Sequence, residues 1–303
     1  MAGFDCNVIV TGANETVGDR HVGGIAGVNP VGLEARDFEP FRRVLQAAMR
    51  YAGAIRLDHV MGLERQFLVP SGMTAERGLY VGSPFAALLA VTAQESVAHR
   101  SIVIGEDLGT VPENFRETLA DWGIWSYLVT IFERGADGAF RAPQDYRENA
   151  LASFSTHDLP TFAGWKSGAD LALKRVLGID PGETEDERGA AVVALETALA
   201  ARSLVPLPPR SEAQIKPSGG EGVGANGFDF LSVARYLAAT PSRLVVILME
   251  DALGVAEQVN VPGTVDEHPN WRRRLPVALE EVRHDGRLAA LADVMTAAGR
   301  RDG

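Results

Sequence analysis

The segments AIRLDHV (54–60) and SIVIGED (101–107) are short and apolar, and each ends among acidic residues. Apolar runs of this length, rich in β-branched residues, predict buried β-strands. Between them, Ser83-Pro84 predicts the start of a helix that continues to about His99, with proline at the first helical position. A strand, a helix and a second strand in this order form a parallel βαβ unit. The sequence therefore predicts an α/β fold.

The same alternation extends in both directions along the chain. Upstream, the apolar residues of DFEPFRRVLQAAMRY (38–52) recur at helical spacing. Downstream, a capping box at Thr110–Glu113 predicts another helix start. Three further strands are predicted, at 124–132, 150–158 and 243–251. Five parallel strands are more than a small domain needs and fewer than the eight that close a (β/α)₈ barrel.

Residues 170–240 interrupt this alternation of strands and helices. An Ala- and Glu-rich piece (183–202) predicts a helix, and KPSGGEGVGANG (216–227) predicts a flexible loop. We interpret 170–240 as a mainly helical insertion before the last strand.

The N-terminal VIVTGANETVG (8–18) is similar to the glycine-rich turn of short-chain dehydrogenases. Thr16 stands where the middle glycine is needed, and no Tyr-x-x-x-Lys follows in the chain. A plain loop is therefore the preferred interpretation.

Composition excludes several classes of function. The 303 residues carry a net charge of −11, which disfavours binding to nucleic acid or an anionic membrane. No apolar run approaches the roughly 20 residues that span a bilayer. The single cysteine, Cys6, excludes an intramolecular disulfide and fits a cytoplasmic location. The first residues include Asp5 and no basic stretch, so they do not predict a signal peptide.

Acidic residues lie at the ends of three of the five predicted strands: Asp58, Glu106 and Asp158. Asp is also common as a turn residue, so one such acid carries little weight. Three such acids predict a site, because ligands bind at the carboxyl ends of parallel strands. Glycosidic chemistry needs a nucleophilic carboxylate and a protonated acid. Arg56 would lie on the same strand face as Asp58, and a nearby positive charge favours the ionised carboxylate.

Five stretches resemble consecutive blocks of the amylomaltases, the 4-α-glucanotransferases of glycoside hydrolase family 77. They occur in the family's order: IRLDHVMGLERQFLVP (55–70), IVIGEDLGTVPENF (102–115), FSTHDLPTFAGW (154–165), LMEDALG (248–254) and QVNVPGTVDEHPNWRRRL (258–275). The resemblance covers about 38–303 and leaves 1–37 as a poorly matching segment. It implies a partial TIM (β/α)₈ barrel with the equivalents of strands four to eight and the helical insertion.

The resemblance also implies a role for each site residue. Asp58 would be the nucleophile, Glu106 the general acid/base and Asp158 the transition-state stabiliser. Four further residues would contact the sugar or the nucleophile: Arg56, His59, His157 and Asn260. The expected activity is transfer of α-1,4-glucan segments to acceptor sugars by a retaining double displacement, without cofactor or metal.

The expected partners are maltooligosaccharides, with glucose or maltose as acceptor. An incomplete barrel would also leave a sheet edge through which the chain could self-associate.

Other interpretations remain open at this point. The histidines could be buried and hydrogen-bonded, and Asn260 could be a turn residue before Pro262-Gly263. A metal-dependent barrel hydrolase would also gather Asp, Glu and His, but no His-x-His pair occurs. A non-catalytic glucan-binding remnant, or a truncated fragment of such an enzyme, is the stronger alternative. Trp165, Trp125 and Tyr80 are candidate sugar platforms for which a core position is the preferred interpretation.

Overall fold

The computed structural model describes residues 8–10, 25–26, 28–70, 73–201 and 228–300. The strands in these ranges are β1 Val8–Val10, β2 Ile25–Ala26, β3 Ala54–Leu57, β4 Arg65–Pro70, β5 Leu79–Gly82, β6 Ile102–Gly105, β7 Trp125–Val129, β8 Ala150–Ser153 and β9 Leu244–Val246. The α-helices are α1 Pro30–Glu34, α2 Glu39–Met49, α3 Phe85–His99, α4 Phe115–Asp121, α5 Phe162–Ser167, α6 Ala169–Val176, α7 Glu185–Ala200, α8 Phe230–Ala238, α9 Met249–Ala252, α10 Leu279–Val282 and α11 Gly286–Ala297.

The five predicted strands form one sheet in the order β3-β6-β7-β8-β9. β3 pairs with β6 in parallel from Ala54↔Ile102 to Leu57↔Gly105, and β6 pairs with β7 in parallel at Gly105↔Ser126. α-Helices lie between β3 and β6, between β6 and β7 and between β8 and β9 along the chain, as in a TIM barrel, and short 3₁₀ helices lie between β7 and β8. The prediction of a partial barrel with parallel strands is confirmed.

The strands are shorter than predicted because the chain turns where its acidic residues begin. After β3, His59 adopts a left-handed backbone (φ 44°) and a short 3₁₀ helix follows at Val60–Leu63. The predicted last strand, 243–251, stops at Val246, and α9 takes up Met249–Ala252. Acidic residues at these points therefore lie in turns and short helices beyond the strand ends.

Contacts along the chain define two compact units. The first is Met1–Tyr127 with Asn149–Leu151, and the second is Leu128–Glu148 with Ala152–Gly303. The residues of β7 and β8 are divided between them.

The core of the first unit lies around α2 and α3. Leu45 and Met49 of α2 and Leu89 of α3 pack into one cluster with Val103 of β6. Arg42 of α2 reaches the buried Glu95 of α3, with Nη1 2.6 Å from Oε1. The predicted helices over 38–52 and from Ser83-Pro84 to about His99 are thus confirmed. The predicted place of Pro84 at the first helical position is wrong, since α3 begins at Phe85 and Pro84 is the residue before it.

A second, antiparallel sheet in this unit was not predicted. Its order is β2-β1-β4-β5. β1 pairs with β4 at Ile9↔Val69, and β4 pairs with β5 at Phe67↔Tyr80. The interpretation of 8–18 as a plain loop is therefore wrong for Val8–Val10, since pairing with β4 supplies a partner that no local pattern reveals. Residues 11–18 lie outside the described ranges.

The second unit contains the predicted insertion. Its described parts between 170 and 240 are mainly helical, and the helices are α6, α7 and α8. Helix α7 begins with a capping box in which Thr184 and Glu187 bond each other's backbone N–H groups. The predicted loop at 216–227 lies outside the described residues. Ala234 and Ala238 of α8 pack with Leu291 and Val294 of α11.

One predicted helix start is wrong. The segment Thr110–Glu113 is not helical, and α4 begins only at Phe115, after Asn114 with a left-handed φ of 58°. Pro112 explains the delay, because a proline restricts the residue before it to extended conformations. None of the helices in the described ranges is long and apolar enough to cross a membrane.

Candidate active site

The register of β3 and β6 places two of the predicted acids side by side. Leu57 and Gly105 are the last paired residues, and Asp58 and Glu106 follow them directly. The backbone continues the pairing by one step, since the Glu106 N–H donates to the Leu57 carbonyl at 2.9 Å. Both acids therefore leave the same end of adjacent parallel strands, which is the end where barrels bind ligands.

Asp58 is held by the arginine predicted to accompany it. Arg56 Nη2 lies 2.7 Å from Asp58 Oδ1, and its guanidinium lies over the ring of Tyr127 at 5.5 Å. The Asp58 side chain is 78% exposed, so its carboxylate is accessible as well as paired. An ion pair at this exposure contributes little stability, and its effect is to orient the carboxylate.

Glu106 is fixed by backbone N–H groups. Its Oε2 accepts a hydrogen bond from the His59 N–H at 2.7 Å, and its Oε1 accepts one from the Leu108 N–H at 3.3 Å. The left-handed backbone of His59 turns that N–H toward the carboxylate. We predicted a sugar contact for the His59 side chain, whereas the structure gives its backbone this different contact.

Asp107, which the sequence analysis did not single out, anchors the turn after Glu106. It is 1% exposed. Its Oδ2 accepts from Arg116 Nε at 2.7 Å and its Oδ1 from the Tyr127 N–H at 3.3 Å. Because Asp107 follows Glu106 directly, these bonds fix the backbone that carries the predicted acid/base.

Gly105 permits the close approach of Val60 to β6. A Cβ built on Gly105 would lie 3.0 Å from Val60 Cγ1 and 3.1 Å from Cγ2. Val60 is 1% exposed, and its N–H donates to the Glu106 carbonyl at 3.0 Å. A side chain at 105 would therefore push apart the two segments that bear Asp58 and Glu106.

We expect Gly105→Ala to destabilise the protein by about 1–3 kcal/mol through overpacking. The matched control is Gly53→Ala, since a Cβ at Gly53 has no neighbour within 4 Å. That variant should stay within about 0.5 kcal/mol of wild type. Urea unfolding of both variants measures the difference, and equal stabilities would contradict the close-packing account.

Asp158 and Asn260 are brought together in the second unit. Asn260 Nδ2 donates to Asp158 Oδ1 at 2.6 Å, and His157 Nε2 lies 3.2 Å from Asp158 Oδ2. The side chains of His157 and Asp158 are both 44% exposed. The buried-histidine alternative is therefore wrong for His157, and Asn260 is a partner of the predicted stabiliser.

Gln258, a second residue that sequence reasoning missed, joins the two loops. Its side chain is buried, and Nε2 donates to the carbonyls of Asp158 (3.0 Å) and Asn260 (2.6 Å). The only sequence signal was its place at the start of the block QVNVPGT. Among the described residues, no group of three or more His, Cys, Asp or Glu is placed to hold a metal ion.

The buried carboxyl of Asp251 is hydrogen-bonded to the first residue of α5, the helix that follows His157 and Asp158 in the chain. Asp251 is 2% exposed, and its Oδ1 accepts from the Phe162 N–H at 2.6 Å. Within the described ranges its Oδ2 has no hydrogen-bond partner. Burial raises the pKa of Asp251 to about 7, against the lowering effect of the Phe162 N–H. The folded protein therefore binds this proton more tightly than the unfolded chain does.

Because this pKa is raised, Asp251 favours folding at low pH, and that contribution is lost as pH rises from about 4 to about 7. We expect Asp251→Asn to match wild type near pH 4 and to become more stable by up to about 4 kcal/mol at pH 7.5. Urea unfolding across this range measures the difference. Asp121→Asn, at the exposed end of α4, is the control for the same substitution without burial and should stay within about 0.5 kcal/mol of wild type at pH 7.5. A flat difference for Asp251→Asn would contradict the assignment.

Comparison with known proteins gives one consistent result. The model of glycoside hydrolase family 77, described as 4-alpha-glucanotransferase, matches residues 24–280. A 4-alpha-glucanotransferase of Haemophilus influenzae is 39% identical over 253 residues, which are 82% of this chain and 35% of the relative. One of Mycobacterium tuberculosis is 35% identical over 283 residues, which are 89% of this chain and 37% of the relative.

A solved structure agrees with these relatives. The crystal structure of amylomaltase from Corynebacterium glutamicum superposes with a TM-score of 0.73 at 29% identity, and covers 88% of this chain and 39% of that protein. The chain thus spans a little over a third of the length of the proteins that it matches.

Proposed function

The chain belongs to the 4-alpha-glucanotransferase family, glycoside hydrolase family 77, and on that premise we propose that it transfers segments of α-1,4-glucans to acceptor sugars. The acceptors are glucose or maltose. The reaction is a retaining double displacement with Asp58 as nucleophile, Glu106 as general acid/base and Asp158 as transition-state stabiliser.

The observation that carries the proposal is the register of β3 and β6. This register places Asp58 and Glu106 at the same end of adjacent parallel strands. A retaining mechanism requires their carboxyl groups to be about 5–5.5 Å apart with a sugar bound, whereas roughly 6.5–9.5 Å would leave room for an inverting water. Neighbouring strands lie about 4.8 Å apart, which suits the shorter separation.

Asp58 and Glu106 together account for the bonds made and broken and for the proton transferred in each displacement. In the first, an Asp58 oxygen attacks the anomeric carbon, the bond from that carbon to the leaving oxygen breaks, and Glu106 gives its proton to that oxygen. In the second, the acceptor's 4-hydroxyl attacks the same carbon, Glu106 takes the hydroxyl proton, and the bond to Asp58 breaks. Two inversions leave the α configuration unchanged.

The surroundings of each acid suit its role. Arg56 sets a positive charge 2.7 Å from Asp58, which holds the attacking carboxylate in one orientation. The N–H groups of His59 and Leu108 keep Glu106 in place through both displacements. Asp158, held by Asn260, offers a fixed negative charge for the oxocarbenium-like transition state. His157 and the His59 side chain are proposed sugar contacts.

Two broader proposals accompany this function. β3 is at the end of the parallel sheet, with Ala54 and Arg56 exposed, and we propose that the chain can self-associate through this edge. We also propose a cytoplasmic location, supported by the single cysteine.

The direct test incubates the purified chain with maltotriose and ¹³C-labelled glucose. We expect glucose, longer maltooligosaccharides and ¹³C in the reducing-end unit of the products. Binding of maltotriose without any transfer would contradict the proposal and favour the non-catalytic glucan-binding alternative. Release of glucose with neither ¹³C incorporation nor longer maltooligosaccharides would indicate a hydrolase instead.

A further inference from the structure

Trp271 combines two features that are unusual for a tryptophan. The residue is 63% exposed, although indole is among the most apolar surfaces a protein can bury. Its backbone is left-handed, with φ of 60°. Positive φ is rare for a bulky residue, and backbone strain of this kind clusters at functional sites. A position whose only demand was the turn would favour glycine or asparagine.

The neighbouring backbone holds Trp271 in this conformation. Its N–H donates to the Val259 carbonyl at 3.1 Å. On one side of it, Asn270 Oδ1 accepts from the Val261 N–H at 2.9 Å, and Asn270 Nδ2 donates to Thr264 Oγ1 at 2.8 Å. The segment around 270 is therefore fastened to 259–264, the loop that carries Asn260.

The indole of Trp271 lies beside the polar side chains of His157, Asp158 and Asn260. Its ring centroid lies 5.2 Å from that of His157, at an interplanar angle of 48°. His157 in turn lies 3.2 Å from Asp158, which accepts from Asn260 at 2.6 Å. An exposed aromatic plane thus adjoins a carboxylate, an amide and an imidazole, the combination of apolar surface with a few polar groups that is typical of small-molecule sites.

We propose that Trp271 is an aromatic platform on which one glucose ring of the glucan stacks, while Asp158 and Asn260 bind hydroxyls of that ring. This inference rests on the proposed function. A pyranose has an apolar C–H face and a polar rim of hydroxyls. The indole of Trp271 suits the apolar C–H face, and the carboxylate of Asp158 and the amide of Asn260 suit the hydroxyls. Trp165, the earlier platform candidate, is 3% exposed and packs against Phe154 and Arg188, so its ring is part of the core.

The first test follows the indole itself. The chain has four tryptophans, so labelling with 5-fluorotryptophan gives four ¹⁹F signals, and Trp271→Phe identifies the one from residue 271. We expect maltotriose, but not the β-linked cellotriose, to shift the Trp271 signal. Maltotriose binding that leaves this signal unchanged would overturn the platform while leaving the proposed function intact. Absence of any maltotriose binding would overturn both.

The second test separates a binding role from a structural one. Trp271→Asn places a residue that tolerates left-handed backbone at the strained position, so we expect the melting temperature to stay equal or to rise. The same variant should weaken maltotriose binding by at least about tenfold, and Trp271→Phe should weaken it less. The control is Trp122→Phe, at the end of α4 and 40% exposed, which should bind as wild type does. A lower melting temperature with unchanged affinity for Trp271→Asn would assign Trp271 a structural role and overturn the proposal.

Discussion

Asp58→Asn should lower the rate of transfer from maltotriose on the order of 10⁴-fold or more. The first displacement needs a nucleophile at this position, and an amide is a very poor one. Folding should be almost unaffected, since the side chain is 78% exposed and its ion pair with Arg56 is worth at most about 1 kcal/mol. Initial rates of glucose release and urea unfolding measure the two effects on the same preparation.

The control for this loss makes the same chemical change elsewhere. Asp121→Asn replaces an exposed carboxylate at the end of α4 and should keep the wild-type rate. Asp58→Asn protein that still disproportionates maltotriose would remove Asp58 from the mechanism, whatever its position at the end of β3.

Glu106→Gln should separate substrates by their leaving groups. With maltotriose we expect the rate to fall about 10²–10⁴-fold, since the departing sugar oxygen needs a proton that glutamine cannot supply. Glutamine can still accept from the His59 N–H, so the local geometry should survive. With α-maltotriosyl fluoride the first displacement should slow much less, because fluoride leaves without protonation.

Added azide provides an internal check on Glu106. As an anionic nucleophile, azide needs no general base, so it should accelerate turnover of the fluoride by Glu106→Gln and give an α-glycosyl azide. Wild type should show little acceleration. Equal losses with maltotriose and with the fluoride, together with no response to azide, would contradict the acid/base assignment.

The parallel strands and their terminal acids were predictable because their signal is local. Apolar runs that end in acidic residues predicted both strands, and β6 is buried as such a composition indicates. β3 is at the end of the sheet and alternates exposed with half-buried residues, which its composition did not indicate. The pair Arg56–Asp58 also follows from a spacing of two residues. Roles for the acids came from the resemblance of whole blocks, which composition and periodicity alone do not supply.

What sequence reasoning missed depends on partners far away in the chain. β1 pairs with β4 across about 60 residues, and Gln258 bonds the carbonyl of a residue 100 positions away. The left-handed backbones of His59 and Asn114 moved the predicted element ends, and the periodicity of apolar residues does not indicate either of them.

The central claim, that Asp58 forms the glycosyl-enzyme intermediate, is tested most directly by trapping that intermediate. Glu106→Gln protein reacted with α-maltotriosyl fluoride should accumulate it, because the second displacement lacks its general base. After proteolysis, mass spectrometry should find one maltotriosyl group on the peptide that contains Asp58, and none in the Asp58→Asn/Glu106→Gln double variant. A maltotriosyl group on a different carboxylate, or turnover of the fluoride with an inverted β product and no adduct, would contradict the account.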